Sequence, residues 1–130
     1  DFLVLNKWFA LQVGGCPPGQ ALANAERLVE HPEFDWKNPN RFRAVFGALA
    51  MHPAGFHAKD GSAYQLLADW IIKLDAKNPQ IAARMCSAYE TWGRYDGDRQ
   101  GMMRDQLARI ARIPGLSRDT SEMVGRILGG

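Results

Sequence analysis

Cysteine is scarce: of 130 residues only two are Cys, Cys16 and Cys86. No Cys-x-x-Cys occurs, so a disulfide framework and a thiolate metal or redox motif are both excluded. Two reduced, partly buried thiols are expected, with a single disulfide as the alternative. Long apolar runs are missing too. Phe2–Leu5 and Phe46–Met51 fall far short of the roughly 20 residues of a membrane span, so no membrane insertion is expected. No basic leader precedes an apolar stretch, as a secretory signal would require. Charge of one sign is absent: 16 Lys+Arg against 14 Asp+Glu leave +2, too little to argue for nucleic acid. Nor does any run alternate with period two for long enough to be a strand.

Helical periodicity fills the space these absences leave. Phe2, Leu5 and Phe9 mark one face of a first helix, and Leu22, Ala25 and Val29 a second. Phe42, Val45, Phe46 and Leu49 follow, then Leu67, Trp70, Ile71 and Leu74. Met103, Leu107 and Ile110 form a fifth stripe, and Val124, Ile127 and Leu128 a last one. Breakers separate them: 14–19 (Gly-Gly-Cys-Pro-Pro-Gly), His31-Pro32, Asn38-Pro39, His52-Pro53, Asp60-Gly61, Asn78-Pro79 and Pro114-Gly115. In the two Asn-Pro pairs, Asn can cap free N–H groups while Pro takes the first helical position. Ser62 and Ser117 precede helices in the same manner, and Gly129-Gly130 stands where a C-terminal cap belongs. The pattern predicts an all-α fold of seven or eight short helices in one domain, 1–130. Lys37-Asn38-Pro39-Asn40 returns as Lys77-Asn78-Pro79-Gln80, forty residues on, the period of HEAT-like and armadillo-like repeats. Stacked antiparallel helix pairs, with both Asn-Pro turns on one edge, are the expected arrangement.

Chemistry is sparse. The three histidines, His31, His52 and His57, include no i, i+4 pair, and H-E-x-x-H is absent, so no metal site is expected. There is no G-x-S-x-G elbow, and no motif sets a His beside either Cys. The Gly-rich stretch at 14–19 lacks the Lys-Ser/Thr of a phosphate loop. Asp35, Asp60, Asp69, Asp75 and Glu90 form no spaced acid/base pair. Arg94, Arg99, Arg104 and Arg109 recur every five residues, a step that scatters them around a helix; Asp105 and Arg109 are spaced for an i, i+4 ion pair. The Asn-Pro turns are the best candidates. Gln80 and Arg84 sit one helical turn apart, and Arg41 and Arg43 hold the matching region of the earlier helix. Helix starts and guanidinium groups both favour anions, though surface caps or local ion pairs account for the same spacing.

The chain begins directly in an amphipathic pattern, without Met or a flexible leader, which suggests a domain cut from something larger. Asp1-Phe2-Leu3-Val4-Leu5-Asn6-Lys7-Trp8-Phe9-Ala10-Leu11-Gln12, then Asn38-Pro39-Asn40-Arg41, Phe56-His57-Ala58-Lys59-Asp60-Gly61-Ser62, Asn78-Pro79-Gln80 and Arg94-Tyr95-Asp96 occur in order. Together they resemble the C-terminal domain of bacterial aminopeptidase N, the alanyl-type gluzincin zinc metallopeptidases. The chain departs from the family pattern near Met51-His52-Pro53, one residue short, and in the Gly/Pro-rich stretch at 14–19.

The resemblance implies a right-handed superhelix of stacked antiparallel helix pairs that caps an upstream catalytic domain. It implies that the H-E-x-x-H…E zinc ligands and the general-base Glu lie in that domain, so that the parent enzyme carries zinc and this fragment carries no cofactor. By the same resemblance Arg43, Gln80 and Arg84 line an enclosed substrate cavity and meet the far end of a peptide; Asn38, Asn40 and Arg41 belong to the same turn. The expected partners are the upstream catalytic domain and peptide substrates, in the cytoplasm, with no nucleic acid and no membrane. Phe2, Leu3 and Trp8 would leave an apolar patch through which the fragment could self-associate. A free-standing helical-repeat interaction module is the alternative function.

Overall fold

The computed structural model describes residues 1–129. It contains eight α-helices: α1 Phe2–Gly14, α2 Ala21–Leu28, α3 Pro39–Ala50, α4 Pro53–Phe56, α5 Ser62–Asp75, α6 Pro79–Met85, α7 Gly97–Ala111 and α8 Arg118–Gly129. Three short 3₁₀ turns, Pro18–Gln20, Cys86–Tyr89 and Trp92–Arg94, complete the ordered elements. No strand forms among the described residues, and none of their helices is long and apolar enough to cross a membrane. The chain divides into two compact units, Asp1–Ala58 with α1–α4 and a second from Lys59 onward with α5–α8.

The caps follow the sequence closely. Asn38 Oδ1 accepts from the amides of Asn40 and Arg41, and Asn78 Oδ1 from that of Ile81, each with Pro at the first helical position. Ser117 Oγ accepts from the Thr120 amide and so caps α8. At α5 the capping oxygen belongs instead to Asp60, which takes both the amide and the hydroxyl of Ser62. Gly61 between them has φ +72°, a left-handed turn that a side chain would strain. Gly129 is the last residue of α8, and the capping role expected of Gly130 lies outside the described residues.

In the first unit, α1 packs on α2 and α3. Phe9, Val13, Phe42, Val45, Phe46 and Leu49 are fully buried. The expected stripes shift in two places. Phe2, one residue past the Asp1 cap, is 74% exposed, and the inner face of α1 is Phe9 and Val13 instead. On α2 the buried line is Ala21, Asn24, Ala25 and Leu28, with Leu22 and Val29 only half-buried. Buried Asn24 displaces the apolar register because its amide donates to the Gln12 carbonyl (2.7 Å), satisfying the last turn of α1. Gly55 of α4 lies where an added Cβ would come within 2.6 Å of Ala21 Cβ, so only hydrogen fits that approach.

In the second unit, Leu67, Ile71 and Leu74 of α5, Met103, Leu107 and Ile110 of α7, and Val124 of α8 have no exposure. Arg109 does not pair with Asp105. Its guanidinium reaches across to Asp69 of α5 (2.6 Å) and to Gln106 (3.0 Å), because α7 packs on α5 at that point. The polar centre is Asp75 at the end of α5. Its carboxylate accepts from the Ser117 amide (2.8 Å), the Ser117 hydroxyl (2.5 Å) and the Thr120 hydroxyl (2.6 Å). Tyr89 donates to the Tyr64 carbonyl (2.7 Å), another fully buried bond.

Asp75→Ala should cost about 2–4 kcal/mol, because it strips a buried acceptor from three donors. Asp105→Ala, at an exposed position, should stay within about 0.5 kcal/mol. Urea unfolding of both variants checks this.

Burial also raises the Cys86 thiol to about 12, from an ordinary 9.0, and the Tyr64 phenol to about 12. It holds Tyr89 well above its usual value of 10.0. In each case the folded state keeps a proton that the unfolded state releases, so the contribution to stability is whole below pH 9. It is lost as pH rises through the folded values. Urea midpoints should fall from pH 8 to pH 11, and Cys86→Ala should lessen the fall. A flat profile would contradict these burials.

Candidate functional site

The two Asn-Pro helix starts place their polar residues differently. On α3, Asn38 is occupied as the cap. Arg41 turns inward and is 3% exposed: its Nε donates to Asn6 Oδ1, its Nη1 to the Glu33 carbonyl, and its guanidinium lies 5.1 Å from the Phe9 ring centroid. It therefore ties α1 and the turn before α3 to the core and is not offered to a ligand. Asn40 and Arg43 are exposed and bonded to each other, with Arg43 Nη2 donating to Asn40 Oδ1 at 2.7 Å.

On α6 the corresponding residues line a depression. Gln80 and Arg84, at i and i+4, share one face of the helix, with buried Ala83 beside them. Asp119, Glu122, Met123 and Arg126 of α8 form the other wall of an open groove of about 570 Å³. Positions 119, 122, 123 and 126 share one α8 face by the 3.6-residue repeat. Their neighbours Thr120, Val124 and Ile127 point into the core. Packing of α6 on α8 thus sets the groove, and Ile81, Ala82 and Met85 behind it are buried.

The groove carries two arginines and two carboxylates, a balanced lining. Glu122 accepts from Arg118 (2.9 Å) in an exposed pair, and Arg126 Nη2 contacts Met123 Sδ (2.9 Å). Among the described residues no acceptor engages the Arg84 guanidinium, which is exposed. A planar guanidinium with free donors, one turn from a carboxamide that both donates and accepts, suits a carboxylate with an adjacent peptide group. The α8 residues were not singled out from the sequence. Their helical spacing was visible, but the partner of that face was not.

The histidines do not suit a metal. His31 Nδ1 accepts from the Glu33 amide (3.0 Å) and His52 Nδ1 from the Gly55 amide (3.0 Å). No cluster of three His, Cys, Asp or Glu side chains occurs among the described residues. The donor set therefore does not fit the zinc that the resemblance implies for the parent enzyme.

Residues 1–129 match the family model described as a domain of unknown function (DUF3458_C) with ARM repeats. The chain belongs to the DUF3458_C family. The all-helical fold agrees with that family's ARM-repeat description. Aminopeptidase N of Caulobacter vibrioides is 44% identical over 128 residues, covering 98% of this chain and 15% of that protein. Aminopeptidase N of Haemophilus influenzae is 39% identical over 129 residues, covering 98% and 15%. The Escherichia coli K12 protein is 39% identical over 127 residues, covering 97% and 14%. A crystal structure of Legionella pneumophila aminopeptidase A in complex with aspartic acid matches with a TM-score of 0.88 at 35% identity, over 96% of this chain and 14% of that one. These matches support the resemblance to the C-terminal domain of aminopeptidase N. The DUF3458_C chain spans about one seventh of the length of these relatives.

Arg41→Ala should destabilise the first unit by about 2–3 kcal/mol, since it removes a buried side chain together with its hydrogen bonds to the half-buried Asn6 and the Glu33 carbonyl. Arg43→Ala should stay within about 0.5 kcal/mol. Thermal unfolding of the two variants distinguishes an internal tie from an exposed side chain.

Proposed function

We propose that this chain is the non-catalytic C-terminal domain of a zinc aminopeptidase N, which removes N-terminal residues from peptides. In this reading the domain caps the active-site cavity, limits access to extended peptides, and holds the far end of the substrate. The metal and its ligands are housed elsewhere in the polypeptide, where the zinc would supply the hydrolytic chemistry. The residues of this chain would bind and orient. Arg84 would pair with the carboxylate of a short peptide and Gln80 would bond its last amide. Holding the distal end removes rotational freedom from the scissile end, and that is what such a clamp contributes to rate. The carboxylates of α8 would compete for Arg84, so the clamp would release its product readily.

One observation carries the reading: an unengaged, exposed guanidinium stands one turn from a carboxamide in an open groove. The aminopeptidase names of the relatives supply the substrate class. We place the parent enzyme in the cytoplasm, a compartment suited to cysteines that are both free thiols.

In the whole enzyme, Arg84→Ala should raise KM for tri- and tetrapeptides about tenfold, the loss of one charge-assisted bond. KM for an alanine anilide, which has no carboxylate, should change little. Steady-state kinetics on both substrates checks this, and equal effects would remove the electrostatic role.

A further inference from the structure

Arg126 is the groove residue whose charge the Arg84 clamp leaves unused. It is exposed in the last turn of α8, on the wall opposite Gln80 and Arg84. Glu122 stands four residues before it, a spacing at which an acid and an arginine ordinarily pair. That pair does not form, because Glu122 accepts instead from Arg118 (2.9 Å), one turn in the other direction. Arg126 Nη2 is left with the Met123 thioether (2.9 Å), a weak and uncharged acceptor. The other carboxylate of the lining, Asp119, lies seven residues away, about 10 Å along the helix. Among the described residues, neither Arg84 nor Arg126 has a carboxylate within ion-pair distance, although both line one hollow. A cation in the last turn complements the α8 dipole. That accounts for a charge at position 126 but not for two unpaired guanidiniums around the same space.

We infer that Arg126 is a specificity-determining residue of the groove, which prefers peptides whose last residue is Asp or Glu. Guanidiniums on opposite walls call for two anionic groups on one ligand, and an acidic last residue carries both. Its main-chain carboxylate pairs with Arg84, and its side-chain carboxylate takes the Arg126 donors that now rest on Met123. The exchange replaces a neutral contact to sulfur by a charge-assisted pair, so it favours the acidic side chain over a neutral one of the same shape. Glu122 interferes little, since Arg118 already holds it. The inference rests on Arg84 receiving the terminal carboxylate, and the experiment separates the two.

The test is initial-rate kinetics of the whole enzyme on the tetrapeptides Ala-Ala-Ala-Glu, Ala-Ala-Ala-Gln and Ala-Ala-Ala-Lys, each made with a free and an amidated C-terminus. With the free terminus, KM for the Glu peptide should lie about tenfold below that for the Gln peptide, and Arg126→Gln should bring the two together. Amidation of the Gln peptide should raise KM, as the Arg84 contact requires. Equal KM for the Glu and Gln peptides, or a contrast that survives Arg126→Gln, would overturn the role of Arg126 while the amidation effect stands. A lower KM for the Lys peptide would overturn it too, because Asp119 and Glu122 would then set the preference. Loss of the amidation effect together with the Glu-to-Gln contrast would overturn both, and would locate the failure in the Arg84 clamp.

Discussion

A carboxylate without a cation organises the second unit. Asp75 ends α5, and through three hydrogen bonds it receives the amide of Ser117 and the hydroxyls of Ser117 and Thr120. Those groups belong to the start of α8, more than forty residues further along. The carboxylate thus fixes both the position and the rotation of a helix whose interior face is only Thr120, Val124 and Ile127. Such a thin apolar face would define rotation poorly on its own, since three side chains offer little interdigitation to fix it. With the first turn held, positions 119, 122, 123 and 126 are bound to face α6. The groove that receives Gln80 and Arg84 is therefore a consequence of a polar lock placed on its far side.

The same residue type serves two ends here, decided by burial. Arg41 and Arg84 both follow an Asn-Pro helix start, two and five residues past the proline. Arg41 faces Phe9 and donates to Asn6 and the Glu33 carbonyl, which compensates for removing its charge from water. Arg84 remains outside with donors to spare. The guanidinium is well suited to the first role, because it is flat enough to lie on an aromatic ring while its edge makes hydrogen bonds. A lysine at position 41 could not do both. The two Asn-Pro turns are thus equivalent as helix starts and different as surfaces.

Much of the helix layout could be read directly from the chain. The Asn38 and Asn78 caps, the Ser117 cap, the stripes on α3 and α7, and those on α5 and α8 apart from the half-buried Trp70 and Leu128, depend on neighbours within one turn, and local spacing records those. What escaped depends on contacts between distant segments. The α2 register moved because Asn24 serves the end of α1, and Arg109 left Asp105 for Asp69, forty residues away. On the site, Gln80 and Arg84 were legible as an i, i+4 pair. Asp119, Glu122, Met123 and Arg126 were not, because an amphipathic helix announces its buried face and says nothing about what borders its exposed one. Inward-facing Arg41 was misleading for a similar reason. Arg41 and Arg43 share one helix start, and only the distant partners Asn6, Glu33 and Phe9 decide which of the two turns inward.

The exposed faces of α1 and α8 differ in chemistry, apolar on the first and charged on the second. Repeat stability is a sum of intrinsic terms and of interfaces between neighbours, so a helix with an uncovered apolar face draws on fewer of them. In α1, Val4 and Leu11 stand more than half exposed and Trp8 is 41% exposed, so each forfeits part of a burial worth about 1.5–3 kcal/mol per side chain. Asp1 caps the α1 amides, and Asn24 and Arg41 bind the helix to its own unit, so α1 keeps its place even with that face uncovered. Polar ties therefore hold the helix where hydrophobic burial on one side alone would be marginal.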